Sequence, residues 1–304
     1  MTLLRPDIFG AQCPWYGPLF AEFRCVMNTG MIGFKPGEYE LIGYLWQANG
    51  TLIAERPIAT CHPFRAVDVD VAHVFPESVG IDALLGLLLR NNQDPQIATP
   101  VTWISRFYQP DGPLASVVST SAPTQINFPE RTGRKLTYRM ISPQLMAEGN
   151  WRSVSWHANV SANAHYDKPL RLEASVHNAQ GLPLAAPPIT VPPFGFCLLD
   201  LHAMLGEALD RHLESSGGRG AVTVYSPDGG AVGYHMLLNR AGHDIALDHT
   251  RPTLHYLDMG YGNTSYLSGA SLRNFLKAAV GALRFRAKIA LGLENQTGLK
   301  KERL

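Results

Sequence analysis

Apolar and polar residues alternate along much of the chain. Leu170, Leu172, Ala174 and Val176 alternate with Arg171, Glu173 and Ser175, and Leu41, Gly43 and Leu45 alternate with Ile42, Tyr44 and Trp46. A period of two is the signature of a strand with one face on a core. Each run ends in a turn signal, Asn49-Gly50 and Gln180-Gly181, where glycine accepts the positive φ a tight hairpin needs. Pro-Asp-Gly at 110–112 and 227–229 predicts a second hairpin in each region. The prolines at 187–188 and 192–193 suit edge strands and strand ends. Helical spacing is expected near 81–91 and 202–213; in the second stretch Leu201, Met204, Leu205, Ala208, Leu209 and Leu213 share one stripe.

These signals recur in order. Tyr39–Gly50 aligns with Leu170–Gly181, Asn28 with Asn159, Pro63-Phe64 with Pro193-Phe194 and Asp70 with Asp200. Ala83–Gly86 then aligns with Ala203–Gly206, and Tyr108–Gly112 with Tyr225–Gly229. An ordered set of matches is the mark of an internal repeat. Short strands separated by turn signals read as a sandwich or barrel. The expected fold is mainly β: two tandem repeated β-sandwich domains of jelly-roll or immunoglobulin-like type, each with one short helix, plus a C-terminal amphipathic helix. The expected divisions are 1–130 for the first repeat with an N-terminal arm, 131–150 for a linker containing Arg131, Arg134, Lys135 and Arg139, 151–262 for the second repeat, and 263–304 for a basic helix and tail.

Within the second copy, Leu172–Gly181, Thr190–Asp200 and Asp248-His249-Thr250-Arg251 resemble the sensory-rhodopsin-transducer-like family of small bacterial β-sandwich proteins. The resemblance covers about 100 residues per copy, and its turn grammar is shared by many β-sandwich modules. In the first copy Pro129-Glu130-Arg131 stands where His249-Thr250-Arg251 would be. The resemblance implies an oligomerising, non-catalytic binding or signalling module, and hence a homo-oligomer.

Composition adds a contrast that the net charge hides. The chain has 304 residues, 17% charged, and a formal charge of +1. Of 26 Lys and Arg, eight lie in residues 271–304, against two of the 25 Asp and Glu. The first 270 residues therefore carry −5 and the tail +6. The near-neutral overall balance argues against a whole-molecule nucleic-acid binder, which needs a basic footprint. The start, Met1-Thr-Leu-Leu-Arg-Pro-Asp, lacks the apolar h-region of a secretory signal, and no apolar run reaches bilayer length. The four cysteines, Cys13, Cys25, Cys61 and Cys197, have no metal spacing and read as reduced thiols. A cytoplasmic location, with peripheral membrane attachment as its variant, is the expectation.

Candidate chemistry falls in five places. His235, His243, Asp244, Asp248, His249 and His255 crowd one stretch. Imidazole and carboxylate are ligands for zinc or iron, so His243, Asp248, His249 and His255 are the candidate ligands of a divalent metal. His249 beside Asp248 or Asp244 also suits general acid–base work. Asp68 and Asp70 share a strand face and could flank a hard cation. Trp15 and Tyr16 lie in the aromatic run Pro14–Pro18 and could stack on a sugar. Ser215–Gly220 is glycine-rich but leads into a strand pattern, not the helix a phosphate cradle requires. The fifth place is the tail: Leu272, Phe275, Leu276, Ala279 and Leu283 follow helical spacing beside Arg273, Lys277, Arg284, Arg286 and Lys288, with Phe285 adding apolar surface. A helix of that kind docks on an acidic partner or an anionic membrane.

No nucleophile elbow, dinucleotide fingerprint or P-loop occurs. The sequence therefore points to a non-catalytic binding, adaptor or accessory subunit, attached through Arg273, Lys277, Arg284, Arg286, Lys288 and Phe285. A metal-dependent enzyme using residues 235–255 is the alternative, and a carbohydrate-binding module a third.

Overall fold

Where one side of a strand meets solvent, alternation of residue type becomes alternation of burial. Leu170–His177 buries Leu170, Leu172, Ala174 and Val176 and exposes or half-exposes the residues between. A computed structural model describes residues 15–31, 38–62, 65–91, 101–109, 112–121, 138–148, 150–161, 165–239 and 244–249. Among these the chain is mainly β, with antiparallel sheets and few helices.

The strands of the first half are β1 (Trp15–Leu19), β2 (Arg24–Met31), β3 (Tyr39–Trp46), β4 (Leu52–Cys61), β5 (Val67–Asp70), β6 (Ala83–Asn91), β7 (Val101–Tyr108) and β8 (Leu114–Ser121). They form two sheets, I in the order β1-β6-β3-β4 and II in the order β5-β2-β7-β8. The second half supplies β9 (Tyr138–Leu145), β10 (Ala147–Glu148), β11 (Trp151–Ala158), β12 (Leu170–His177), β13 (Pro183–Ala185), β14 (Ile189–Val191), β15 (Phe196–Leu199), β16 (Gly220–Ser226), β17 (Val232–Asn239) and β18 (Asp244–His249). Sheet III runs β13-β12-β16-β9, with β14 also on β12; sheet IV runs β10-β11-β17-β18, with β15 also on β11. Short helices follow β5 and β15: α1 (Val71–Val74), α2 (Leu201–Leu205) and α3 (Glu207–Leu213). Proline is confined to edges: Pro18 in β1, Pro57 in β4 and Pro143 in β9 all lie in the outermost strand of their sheet, where a missing N–H breaks no central ladder.

Several expectations are corrected. Residues 83–91 form strand β6, not a helix. The run Ala83–Leu89 is buried throughout, so its strand is covered on both faces and loses the alternation that would mark it. The first half instead carries its short helix at α1. The supposed linker contains β9 and β10, and β9 pairs with β16 along Tyr138–Leu145. Ala83–Gly86 and Ala203–Gly206 are not equivalent, one being strand and the other helix. Tyr108 ends β7, which pairs with β8 across the Pro-Asp-Gly turn, whereas Tyr225 lies in β16, and the chain passes from there to β17 in another sheet. At Asn49-Gly50 only the glycine takes positive φ, +82°, as Gly181 does at +76°. The helix and tail expected at 263–304, and the N-terminal arm before Trp15, lie outside the described residues.

The two halves are not insulated from each other; Met1–Arg251 is one compact unit. One apolar cluster contains Trp15, Tyr16, Trp46, Trp103 and Phe107 from the first half and Trp156, Phe194, Tyr234 and Ile245 from the second. Trp46 stacks on Phe194, ring centroids 5.4 Å apart at 14°, and lies 5.9 Å from Tyr16. Gly86 makes room for it, since a Cβ there would sit 2.7 Å from the Trp46 ring. Backbone bonds close the seam: Phe196 N–H donates to Ala48 O at 3.2 Å. Gly50 is required here twice over, by its φ and because a Cβ would stand 2.2 Å from Pro193 O. Tyr16 Oη donates to Ser161 O at 2.6 Å, and Tyr234 Oη to Tyr16 O at 3.2 Å. Tyr16→Phe leaves the buried Ser161 carbonyl without this donor and should lower stability by about 1–3 kcal/mol, read as a shift in urea midpoint with unchanged slope.

A second apolar cluster belongs to the second half alone. It joins Leu145, Leu172, Val176, Val222 and Val224 of sheet III to Leu201, Leu209 and Leu213 of α2 and α3.

Candidate functional site

Trp15 and Tyr16 are not a stacking surface. They lie in β1, at 1% and 0% exposure, inside the shared core. The run reads as a loop because Pro14, Gly17 and Pro18 punctuate it, but β1 is an edge strand buried on both faces, and the aromatics fill its two sides. Trp15 packs on Trp103, centroids 6.1 Å apart.

Of the candidate metal ligands, His243 and His255 lie outside the described residues. Asp248 and His249 are consecutive in β18, in register with His235 and Tyr234 of β17. The docking residues Arg273, Lys277, Arg284, Phe285, Arg286 and Lys288 also lie outside the described residues.

Asp68 and Asp70 are paired with the protein's own cations. Asp70 Oδ2 accepts from Arg24 Nε at 3.0 Å and Nη2 at 2.7 Å. Asp68 accepts from Asn28 Nδ2 at 2.7 Å and pairs with Arg106. Register brings them together, with Val26 opposite Asp70 and Asn28 opposite Asp68. The result is a cross-strand ladder of charge on sheet II, a direct use of carboxylates facing arginines.

One group of buried polar residues lies on a single face of sheet IV. Along β11 every second residue, Ser153, Ser155 and His157, is polar and buried, while Val154, Trp156 and Ala158 fill the other face. Register places Cys197 opposite His157 and His235 opposite Ser155. His157 Nε2 and Ser155 Oγ share a hydrogen bond of 3.1 Å. Burial, then the neighbouring His235, pushes His157 down to about 3, so its imidazole is neutral at physiological pH. Burial pushes the Cys197 thiol up to about 12 and also raises Cys25 and Cys61. The thiolate is the reactive form of cysteine, so these three are held unreactive. This polar face was missed because polar residues at alternate strand positions ordinarily mark solvent; here Ser-x-Ser-x-His faces an interior.

The described surface holds a cleft of about 200 Å³ in the first half. It lies between the β1–β2 turn, with Leu19, Phe20 and Phe23, and the segment after β5, with Val71, Ala72 and Val79. Its polar lining is Glu22, Arg24 and Ser78. Phe20-x-x-Phe23 was the signal available in the sequence, two rings close together in a turn.

No family model and no curated protein matches the chain. Solved structures give faint likenesses. Bacteroides uniformis beta-glucuronidase 2, covalently bound to cyclophellitol-6-carboxylate aziridine, is 13% identical over 77% of this chain and 25% of that one, with a TM-score of 0.16. A glycosyl hydrolase family 2 member from Bacteroides cellulosilyticus DSM 14838 is 9% identical over 78% and 28%, with a TM-score of 0.17. The chain spans about a quarter of the length of these proteins, and likeness at this level carries no argument about fold or activity.

Proposed function

We propose that the chain is a tandem of two β-sandwich modules acting as a non-catalytic binding or adaptor subunit. The strand orders β1-β6-β3-β4 and β9-β16-β12-β13, and likewise β5-β2-β7-β8 and β15-β11-β17-β18, support a duplicated module. The observation that carries the binding reading is how the reactive side chains are used. The thiols of Cys25, Cys61 and Cys197 are raised by burial, His157 is sealed neutral, and Asp68, Asp70, Glu40 and Glu77 are each tied to an arginine. Such a body is a scaffold, and its ionic groups stabilise its own surface. Attachment comes from the opposite charge of the two parts, −5 in residues 1–270 and +6 in residues 271–304, through Arg273, Lys277, Arg284, Phe285, Arg286 and Lys288. Self-association, implied by the resemblance of the second half to sensory-rhodopsin-transducer-like proteins, belongs to the same reading.

Deleting residues 269–304 tests it. The full chain should sediment with vesicles containing anionic lipid, or retain an acidic partner through purification, and the shortened chain should lose that association. Salt should weaken it in step. Equal association of both chains would remove the attachment role from the tail; binding to vesicles without a protein partner would assign the acidic surface to the membrane.

A further inference from the structure

The β3–β4 turn meets the second half backbone to backbone. Gln47 N–H bonds to Thr51 O and Gly50 N–H to Gln47 O, both at 2.9 Å, and together they close the hairpin. The segment from Pro192 to Phe196 holds this turn. Phe196 N–H donates to Ala48 O at 3.2 Å. A Cβ on Gly195 would stand 2.4 Å from Ala48 O, and a Cβ on Gly50 2.2 Å from Pro193 O. An atom added to the backbone here has to push the two segments apart.

The turn contains Asn49-Gly50, the only Asn-Gly pair in the chain. Asn49 is exposed. Its Oδ1 accepts from Thr51 N–H at 3.0 Å, which folds the carboxamide back over the peptide that follows it. Asn49 Cγ is thereby kept on the side of Gly50 N. The bond from Thr51 also draws charge toward Oδ1, where negative charge collects if that nitrogen attacks. Gly50 has no side chain to crowd its nitrogen. One bond opposes the attack: Gly50 N–H is engaged by Gln47 O, so the turn must open locally before the nitrogen can lose its proton.

We infer that Asn49-Gly50 is a self-modification site, where conversion to isoaspartate loosens the first half from the second. Gly50 N bonds to Asn49 Cγ and gives its proton to water. The Cγ–Nδ2 bond breaks, and ammonia leaves with a proton supplied by water. Water then opens the five-membered imide. Addition at Cγ gives aspartate. Addition at the main-chain carbonyl gives isoaspartate, whose backbone runs through Cβ and Cγ and is one carbon longer. The longer backbone cannot keep both bonds that close the turn and stay seated against Pro193 O.

The matched turn of the second half is an internal comparison. Asn178 N–H bonds to Leu182 O at 3.1 Å and Gly181 N–H to Asn178 O at 2.9 Å, the same closure. Gln180 stands there in place of Asn49, so attack would need a six-membered imide, which forms far more slowly. Nothing lies within 4 Å of a Cβ on Gly181. The reactive pair occurs in the turn whose lengthening has a structural consequence.

The test holds the full chain in mildly alkaline buffer for several days. Peptide mass spectrometry should show the mass gain of amide-to-acid conversion at Asn49, and an isoaspartyl methyltransferase should label the product. Asp111-Gly112 and Asp228-Gly229 can form the same ring, but without a mass gain. Asn49→Gln should abolish the gain. The converted fraction, separated by its added negative charge, should unfold at a lower urea midpoint than Asn49→Asp, which carries the carboxylate without the extra backbone carbon. Phe194→Ala, checked for folding by circular dichroism, should speed conversion about threefold or more, because the open turn becomes more populated. No conversion at Asn49, in buffer that converts a peptide of residues 45–53, overturns the site. Conversion that leaves the midpoint at that of Asn49→Asp overturns the loosening. An unchanged rate in folded Phe194→Ala overturns control of the turn by the second half.

Discussion

Trp46→Ala should lower the stability of the described body by about 3–5 kcal/mol, in a single unfolding transition that carries both halves with it. Trp46 is 4% exposed and touches three rings: Tyr44 at 5.5 Å and 19°, Phe194 at 5.4 Å and 14°, and Tyr16 at 5.9 Å. Its removal leaves a cavity over Gly86, where no side chain can move in. A domain of this size is stabilised by only about 5–15 kcal/mol, so the loss is a large share of the total. Phe194 gives a second handle on the seam. It holds φ at +54°, the one non-glycine among the described residues with positive φ, a conformation costing on the order of 1–3 kcal/mol. The stacking on Trp46 and the bond from Phe194 N–H to Asn159 O at 2.8 Å keep it there. A Trp46→Ala, Phe194→Ala double-mutant cycle should show coupling of about 0.5–1.5 kcal/mol, the usual worth of an aromatic pair beyond its buried area. Urea titration followed by far-ultraviolet circular dichroism and by tryptophan emission reads both effects. If Trp46→Ala split the curve and left one transition at the wild-type midpoint, the halves would be independent and the shared core wrong.

The same burial explains what the sequence could and could not disclose. Strands with one wetter face were legible: β12, β16 and β17 bury alternate residues, and their residue types alternate accordingly. The stretches 39–50 and 170–181, matched by sequence, both fold as strand and glycine turn, with Gly50 N–H bonded to Gln47 O and Gly181 N–H to Asn178 O at 2.9 Å. Asp70 and Asp200, also matched, both stand immediately before a helix, although only Asp200 caps it, accepting from Ala203 N at 3.1 Å. Sheet I was harder to read. Its strands β1, β3 and β6 are covered on both faces, so Ala83–Leu89 became a featureless apolar run and Trp15-Tyr16 resembled an exposed aromatic loop. β9 was hidden by the basic residues around 131–139, which resembled a linker. The site residues divide in the same way. Asp68 and Asp70 were correctly placed on one strand face, but their arginine partners, Arg106 and Arg24, come from other strands 38 and 46 residues away, and single-sequence spacing has no access to such pairs. His157 could not be distinguished from a surface histidine, because burial of that face depends on sheet III packing over it.

His157 should make the protein acid-labile well above the range where carboxylates titrate. In the folded chain its imidazole is 0% exposed and its pKa is pushed from 6.5 down to about 3, by burial first and by His235 second. The unfolded chain takes up the proton below pH 6.5 and the folded chain does not until near pH 3. Stability from this group is therefore complete above pH 6.5 and lost as the pH falls, by roughly 1.4 kcal/mol per pH unit. His202, whose pKa is also lowered chiefly by burial, acts in the same direction. His157→Gln keeps a partner for Ser155 Oγ and removes the titration. Between pH 6.5 and 4.5 the wild type should lose roughly 2–3 kcal/mol more than the variant, measured as the change in urea midpoint at constant slope. Carboxylate terms are common to both chains and cancel in the comparison. The His157 ring resonances should also stay at their neutral positions through pH 5 while those of exposed histidines titrate. Parallel losses in wild type and variant, or a His157 resonance that titrates near pH 6.5, would show that the imidazole reaches water and that the polar face of sheet IV is not sealed.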